Sequence, residues 1–139
     1  MSPVPAHAND SWQKAEAHLG EALAQDADAS PMAIIHSSYY AMFHAARAVL
    51  FQIVGEAPKT HDQTIQQFGL LVRDLDDSLR TAGKAFNEVK DERNEADYDV
   101  TIIPSADEAR GALVAAVGFL DLCGSRYGFR PAQSGKAGS

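Results

Sequence analysis

The chain has 139 residues, 45% of them hydrophobic and 22% charged, with a formal net charge of −7. That length fits one domain around one core, and the acidic balance excludes a general nucleic-acid coat, which depends on many phosphate contacts, while leaving room for a small cationic pocket. The lone Cys123 excludes a disulfide framework and a thiolate zinc site.

Residues 1–10 carry two prolines and no periodic pattern, so a flexible N-terminus is expected there. The start lacks the basic and apolar regions of a signal peptide, and no apolar stretch approaches bilayer length, so a cytoplasmic protein with no membrane partner is the default. Asn9, Asp10 and Ser11 offer capping side chains for a first helix from about Trp12 to Ala27, with Trp12, Ala15, Leu19 and Ala22 or Leu23 facing inward.

The segment Ser30 to Gly55 reads as one long central helix. Ser30 suits the N-cap, Pro31 the first helical position and Gly55 a left-handed stop. Met32, Ile35, Tyr39, Met42, Ala46, Val49 and Ile53 form a stripe with spacings of three and four. Ile34, Phe43, Leu50, Phe51 and Val54 make much of the remaining surface apolar, the mark of a helix surrounded by others. A second line, His36, Tyr40, His44 and Arg47, falls within an arc of about 80°. It reads either as a site or wet interface, or as a partly solvated face carrying two histidines.

Thr60 has the look of an N-cap for a short third helix with Ile65, Phe68, Leu71 and Val72 on its apolar face and His61 in its first turn. A break is expected at Asp74 to Asp77. A fourth helix then runs to about Tyr98 with the stripe Leu79, Ala82, Phe86, Val89, Arg93, Ala96. Arg93 stands where the spacing demands an apolar side chain. A charge there needs a buried partner, a wet cleft or a ligand, although Asp97, four residues on, offers an ordinary surface pair. Ser105 and Glu108 form a capping box for a fifth helix reaching about Cys123. Gly111, Ala115 and Gly118 share a face that would let another helix approach, and Val114, Val117, Leu120 and Leu122 supply apolar bulk. Cys123 reads as a small core residue. Residues 126–139 are expected to form a flexible tail. Its basic residues, Arg126, Arg130 and Lys136, are few for a nucleic-acid arm. The fold class is therefore all-α, an antiparallel four-helix bundle plus an additional short helix, with a single domain over residues 11–125.

No Gly-rich phosphate loop and no metal-ligand spacing of His and Cys occurs, so neither metal nor cofactor is expected. The acidic residues around Arg93 (Glu92, Glu95, Asp97 and Asp99) read as a solvated helix end rather than a two-metal site.

The stretch HSSYYAMFHAARAVL, the later KTH and the segment RNEADYDV together resemble the HEPN domain, and within it a small stand-alone prokaryotic branch. The resemblance spans about Ala15 to Leu122. It implies a helical bundle that dimerises through its central helices. It also implies RNA or nucleotide binding or processing, commonly in toxin–antitoxin or defence systems. Active members are metal-independent ribonucleases whose motif is an arginine followed four to six residues later by histidine. Arg93 matches the arginine and Asn94 the polar residue after it, but Tyr98 stands at the histidine position. With an ordinary pKa near 10, tyrosine is a poor general base at neutral pH. The resemblance thus implies Arg93, Asn94, Tyr98 and His44 as catalytic candidates. Arg47, Lys59, His61, Tyr40 and His36 follow as substrate-binding candidates, with His44 or His61 carrying the acid–base work. The alternative is a non-catalytic HEPN module that binds a nucleotide or a nucleotidyltransferase-type partner protein.

Overall fold

A computed structural model describes residues 6–98, 101 and 103–129, with the side chains of residues 96–98 outside the description. Five helices follow one another: α1 (Ala6–Ala24), α2 (Pro31–Ile53), α3 (His61–Val72), α4 (Asp77–Tyr98) and α5 (Ala106–Tyr127). Among the described residues there is no strand, as the all-α reading requires. Short connections fold each helix back beside its neighbours, and α2 packs against all four others.

The centrality of α2 follows from its composition. Ile34, Ile35, Tyr39, Met42, Val49 and Leu50 are buried, and so are Ala41, Ala45, Ala46 and Ala48, whose small side chains let adjacent helices come close on several sides. The stripe overshoots the bundle at its ends, where Met32, Ile53 and Val54 are exposed. Pro31 occupies the first turn and Gly55 takes a positive φ of 95°. Ser30 sits at the N-cap without a side-chain capping bond, contrary to expectation. Its backbone N–H instead donates to the Asp26 carbonyl at 2.7 Å, tying the turn to the preceding segment.

Phe68 of α3, Phe86 of α4 and Phe119 of α5 meet beside Tyr39 of α2, with ring centroids 5.2–6.4 Å apart among the three phenylalanines. Cys123 is buried, and burial pushes its thiol up to about 12, so it behaves as a core side chain and not as a nucleophile. The capping box of α5 forms as read: Ser105 accepts from the Glu108 N–H, and Glu108 from the Ser105 N–H, each at 3.0 Å.

Several boundaries move. α1 begins at Ala6, with Ala8 and Trp12 buried, so Asn9, Asp10 and Ser11 lie inside the helix rather than capping it. α1 also ends at Ala24, before the expected Ala27, and Leu23 is exposed while Ala22 is buried. α5 continues to Tyr127 because its end is held. Gln52 donates to the Tyr127 carbonyl at 2.6 Å, Gly128 closes the helix at φ 82°, and Phe129 stacks on Trp12 with centroids 4.7 Å apart. The helices thus cover more than the expected 11–125 span. Arg126, read as part of a basic tail, pairs with Asp76, which also caps α4 by accepting from the Leu79 N–H at 3.0 Å. Of the small-residue face of α5, Ala115 packs against the core, while Gly111 and Gly118 are exposed, a Cβ at either would touch nothing within 4 Å among the described residues, and Val114 is 71% exposed.

The shared phenylalanine cluster predicts that Phe119→Ala lowers the unfolding free energy by about 3–5 kcal/mol, the usual range for emptying a well-packed aromatic site. Urea denaturation followed by far-UV circular dichroism measures it. A loss below about 1 kcal/mol would show that the core does not close on this cluster.

Candidate functional site

Three helices bring their chemistry to one place. Tyr39 belongs to the buried stripe of α2, and its side chain is fully covered. Thr60 caps α3 by accepting from the Gln63 N–H at 3.2 Å, and that cap puts His61 at the first position of the helix, against α2. On α4, Leu79, Phe86 and Val89 are buried in the seam. One turn further, Arg93 finds an aromatic face in place of apolar core. Its guanidinium carbon lies 4.7 Å from the Tyr39 ring centroid and 5.5 Å from that of Tyr40. Cation–π contact lets a half-buried charge continue an apolar stripe, which accounts for an arginine at that register. The alternative surface pairing with Asp97 falls outside the described residues, as does the Tyr98 side chain at the end of α4.

The Tyr39 hydroxyl meets His61 Nδ1 at 2.9 Å. Burial, the largest cause, pushes the Tyr39 phenol up to about 12, with Tyr40 and Asp62 acting the same way and Arg93 against them. The phenol is therefore protonated at neutral pH. Burial first, and Arg93 second, hold His61 below the ordinary imidazole range, with Asp62 opposing them. A neutral imidazole anchored through Nδ1 has a fixed ring and one remaining nitrogen, Nε2, whose role is set by the tautomer. The ring also stacks on Phe43, with centroids 4.2 Å apart.

Around these groups opens a cleft of about 330 Å³, lined by Tyr39, Tyr40, His61, Asp62, Lys90, Arg93 and Asn94. Lys90 stands three residues before Arg93, on the same side of α4, and its ammonium lies 3.2 Å from the Asp62 carboxylate. The arrangement can hold an anion with two cations and a histidine, and can offer an aromatic edge from Tyr40.

The cleft thus gathers Arg93, Asn94, His61 and Tyr40 from the candidates read in the sequence. It does not gather the others. The line His36, Tyr40, His44, Arg47 is split, because only Tyr40 lines the cleft. His36 is half-buried elsewhere on α2, and Lys59 is exposed in the connection before α3. Arg47 lies over the rings of Phe43 and Phe51, 5.6 and 5.4 Å from their centroids, and donates to the Pro58 carbonyl. It fastens the α2–α3 connection. His44 stacks on His18 of α1 with centroids 5.3 Å apart and rings nearly parallel, and its Nδ1 is buried without a hydrogen-bond partner among the described residues. Burial, then His18, Lys14, Arg47 and His61, push its imidazole down to about 4, so it is neutral at pH 7. This histidine belongs to the α1–α2 interface.

Three cleft residues were not signalled as functional by the sequence. Tyr39 was absorbed by the apolar stripe. Lys90 carried a usable signal in its spacing of three from Arg93, and Asp62 one in its place beside His61. Among the described residues no group of three His, Cys, Asp or Glu side chains could hold a metal ion, and no helix is long and apolar enough to cross a membrane.

A family model, that of the HEPN domain, matches residues 8–126 of the chain. No curated protein matches it.

The depressed His44 gives a stability prediction with a definite sign. The folded state holds the neutral ring more strongly than the unfolded chain does, so its contribution is complete above about pH 6.5. It is lost progressively as pH falls from there to about 4, as the unfolded chain takes up the proton first. Urea midpoints measured at pH 7 and pH 4.5 should therefore fall more for the wild type than for His44→Phe, which keeps the ring and removes the titration. Equal losses in the two proteins would contradict the buried, neutral assignment.

Proposed function

We propose, for a chain that belongs to the HEPN domain family, whose members are generally RNA-related, that the α2–α3–α4 cleft binds an RNA or nucleotide phosphate and cleaves RNA without a metal ion. The observation that carries this reading is that Arg93 and His61, from different helices, share the one Tyr39 side chain, the first over its ring and the second on its hydroxyl.

Metal-independent RNA cleavage needs a base for the 2′-hydroxyl, a cation for the phosphorane charge and an acid for the leaving oxygen. His61 supplies the base in the tautomer that donates Nδ1–H to the Tyr39 oxygen and leaves Nε2 bare. As Nε2 takes the 2′-hydroxyl proton, the 2′-oxygen bonds to phosphorus and the bond from phosphorus to the 5′-oxygen breaks. The products are a 2′,3′-cyclic phosphate and a 5′-hydroxyl. Arg93 meets the equatorial oxygens with its planar fork, and Lys90 adds a point charge. Asn94 orients the phosphate. The leaving 5′-oxygen takes its proton from an acid of a second copy of the chain, with two clefts facing each other across a homodimer. His61 thereby fills the place left by Tyr98 at the motif histidine position. The protein acts in a toxin–antitoxin or defence setting, with a nucleotidyltransferase-type protein as the partner.

A second reading, a HEPN module that binds without cleaving, is favoured by one observation: tyrosine, not histidine, stands five residues after Arg93.

Total RNA incubated with the purified protein in EDTA separates the two. Cleavage should survive the chelator and fall at least 100-fold in both Arg93→Ala and His61→Ala, in keeping with the usual size of acid–base and charge-stabilising contributions. Binding without cleavage at any protein concentration selects the second reading. Cleavage unchanged by Arg93→Ala removes the site from this cleft.

A further inference from the structure

The mouth of the cleft carries a carboxylate that no phosphate site needs. Asp62 follows His61 in the first turn of α3, and its side chain is 82% exposed; its carboxylate lies 3.2 Å from the ammonium of Lys90, whose side chain is only 24% exposed. Lys90 and Arg93 share one face of α4 and line the same cleft. The two partners are therefore unequal. The lysine side chain is held along most of its length by the surrounding protein, while the aspartate side chain stands in water, where an ion pair of this kind is weak and a side chain rotates at little cost.

From this asymmetry we propose that Asp62 competes with the ligand's phosphate for Lys90: binding exchanges a carboxylate partner for a phosphate one, and Asp62 sets the affinity of the cleft for anions. The proposal rests on the reading that the cleft takes a nucleic-acid phosphate, and it does not depend on cleavage. Its physical basis is that a phosphate between Arg93 and Lys90 meets two cations and, nearby, one like charge that repels it. An ordinary helix-capping role for Asp62, favourable at the N-terminus of α3, would give no such competition.

The test is the affinity of a fluorescein-labelled ten-nucleotide 2′-O-methyl RNA, which lacks the attacking hydroxyl, followed by fluorescence anisotropy in low salt and EDTA. Asp62→Asn should bind about five-fold more tightly than wild type, the scale of removing one unit charge a few ångströms from the ligand in a solvated cleft. Asp74→Asn makes the same change of net charge beyond the far end of α3, about 18 Å away along a twelve-residue helix. It should leave the affinity unchanged. Lys90→Met should weaken binding, and in that background the gain from Asp62→Asn should shrink. Wild-type affinity in Asp62→Asn, an equal gain from Asp74→Asn, or an undiminished gain in the Lys90→Met background would each overturn the competition while leaving the phosphate site standing. Failure of the wild type to bind, or Arg93→Ala binding as tightly as wild type, would overturn the phosphate site and this inference with it.

Discussion

The contact between the Arg93 guanidinium and the Tyr39 ring joins α4 to α2 at the cleft. A tyrosine at the centre of a helical bundle is a large apolar surface with one polar end. Here the ring completes the packing with Phe86 and Phe43, the hydroxyl holds His61, and the remaining approach is taken by a cation from α4. One side chain thereby contacts two candidate site residues that are 32 residues apart in the chain. The ring gives a half-buried arginine at an apolar register of α4 a cation–π contact that lowers its desolvation cost.

That arrangement also sets the electrostatics. Burial first, and Arg93 second, hold the His61 ring below the ordinary imidazole range, and burial keeps the Tyr39 hydroxyl protonated far above neutral pH. Positive charge at the cleft resides in Arg93 and Lys90, with the Asp62 carboxylate at its mouth. The result is two cations and a histidine gathered at one cleft of a chain whose formal net charge is −7.

Most of the fold was legible in the sequence because its signals are local. Pro31, Gly55, Thr60 and the Ser105–Glu108 capping box mark helix ends by backbone geometry and hydrogen bonding that neighbouring residues decide. The ends that moved are those decided by distant residues: α5 runs on because Phe129 stacks on Trp12, more than a hundred residues away in the chain. The site was legible in part. Arg93 announced itself by breaking an apolar period, and His61 by its place at a capped helix start. His44 and Arg47 shared a helix line with Tyr40, but a line on one helix does not say which neighbour it faces. His44 turned out to meet α1 and Arg47 the α2–α3 connection. Tyr39 was hidden because the ring that fills the core is the same ring that lines the candidate cleft.

The central claim is that Arg93 and His61 occupy one electrostatic environment, organised by Tyr39. Proton NMR titration of the His61 ring in the wild type and in Arg93→Ala tests it most directly. The account predicts a His61 pKa below the ordinary value of about 6.5 in the wild type, and a rise toward that value when the neighbouring positive charge is removed. A His61 that titrates identically in the two proteins would contradict it.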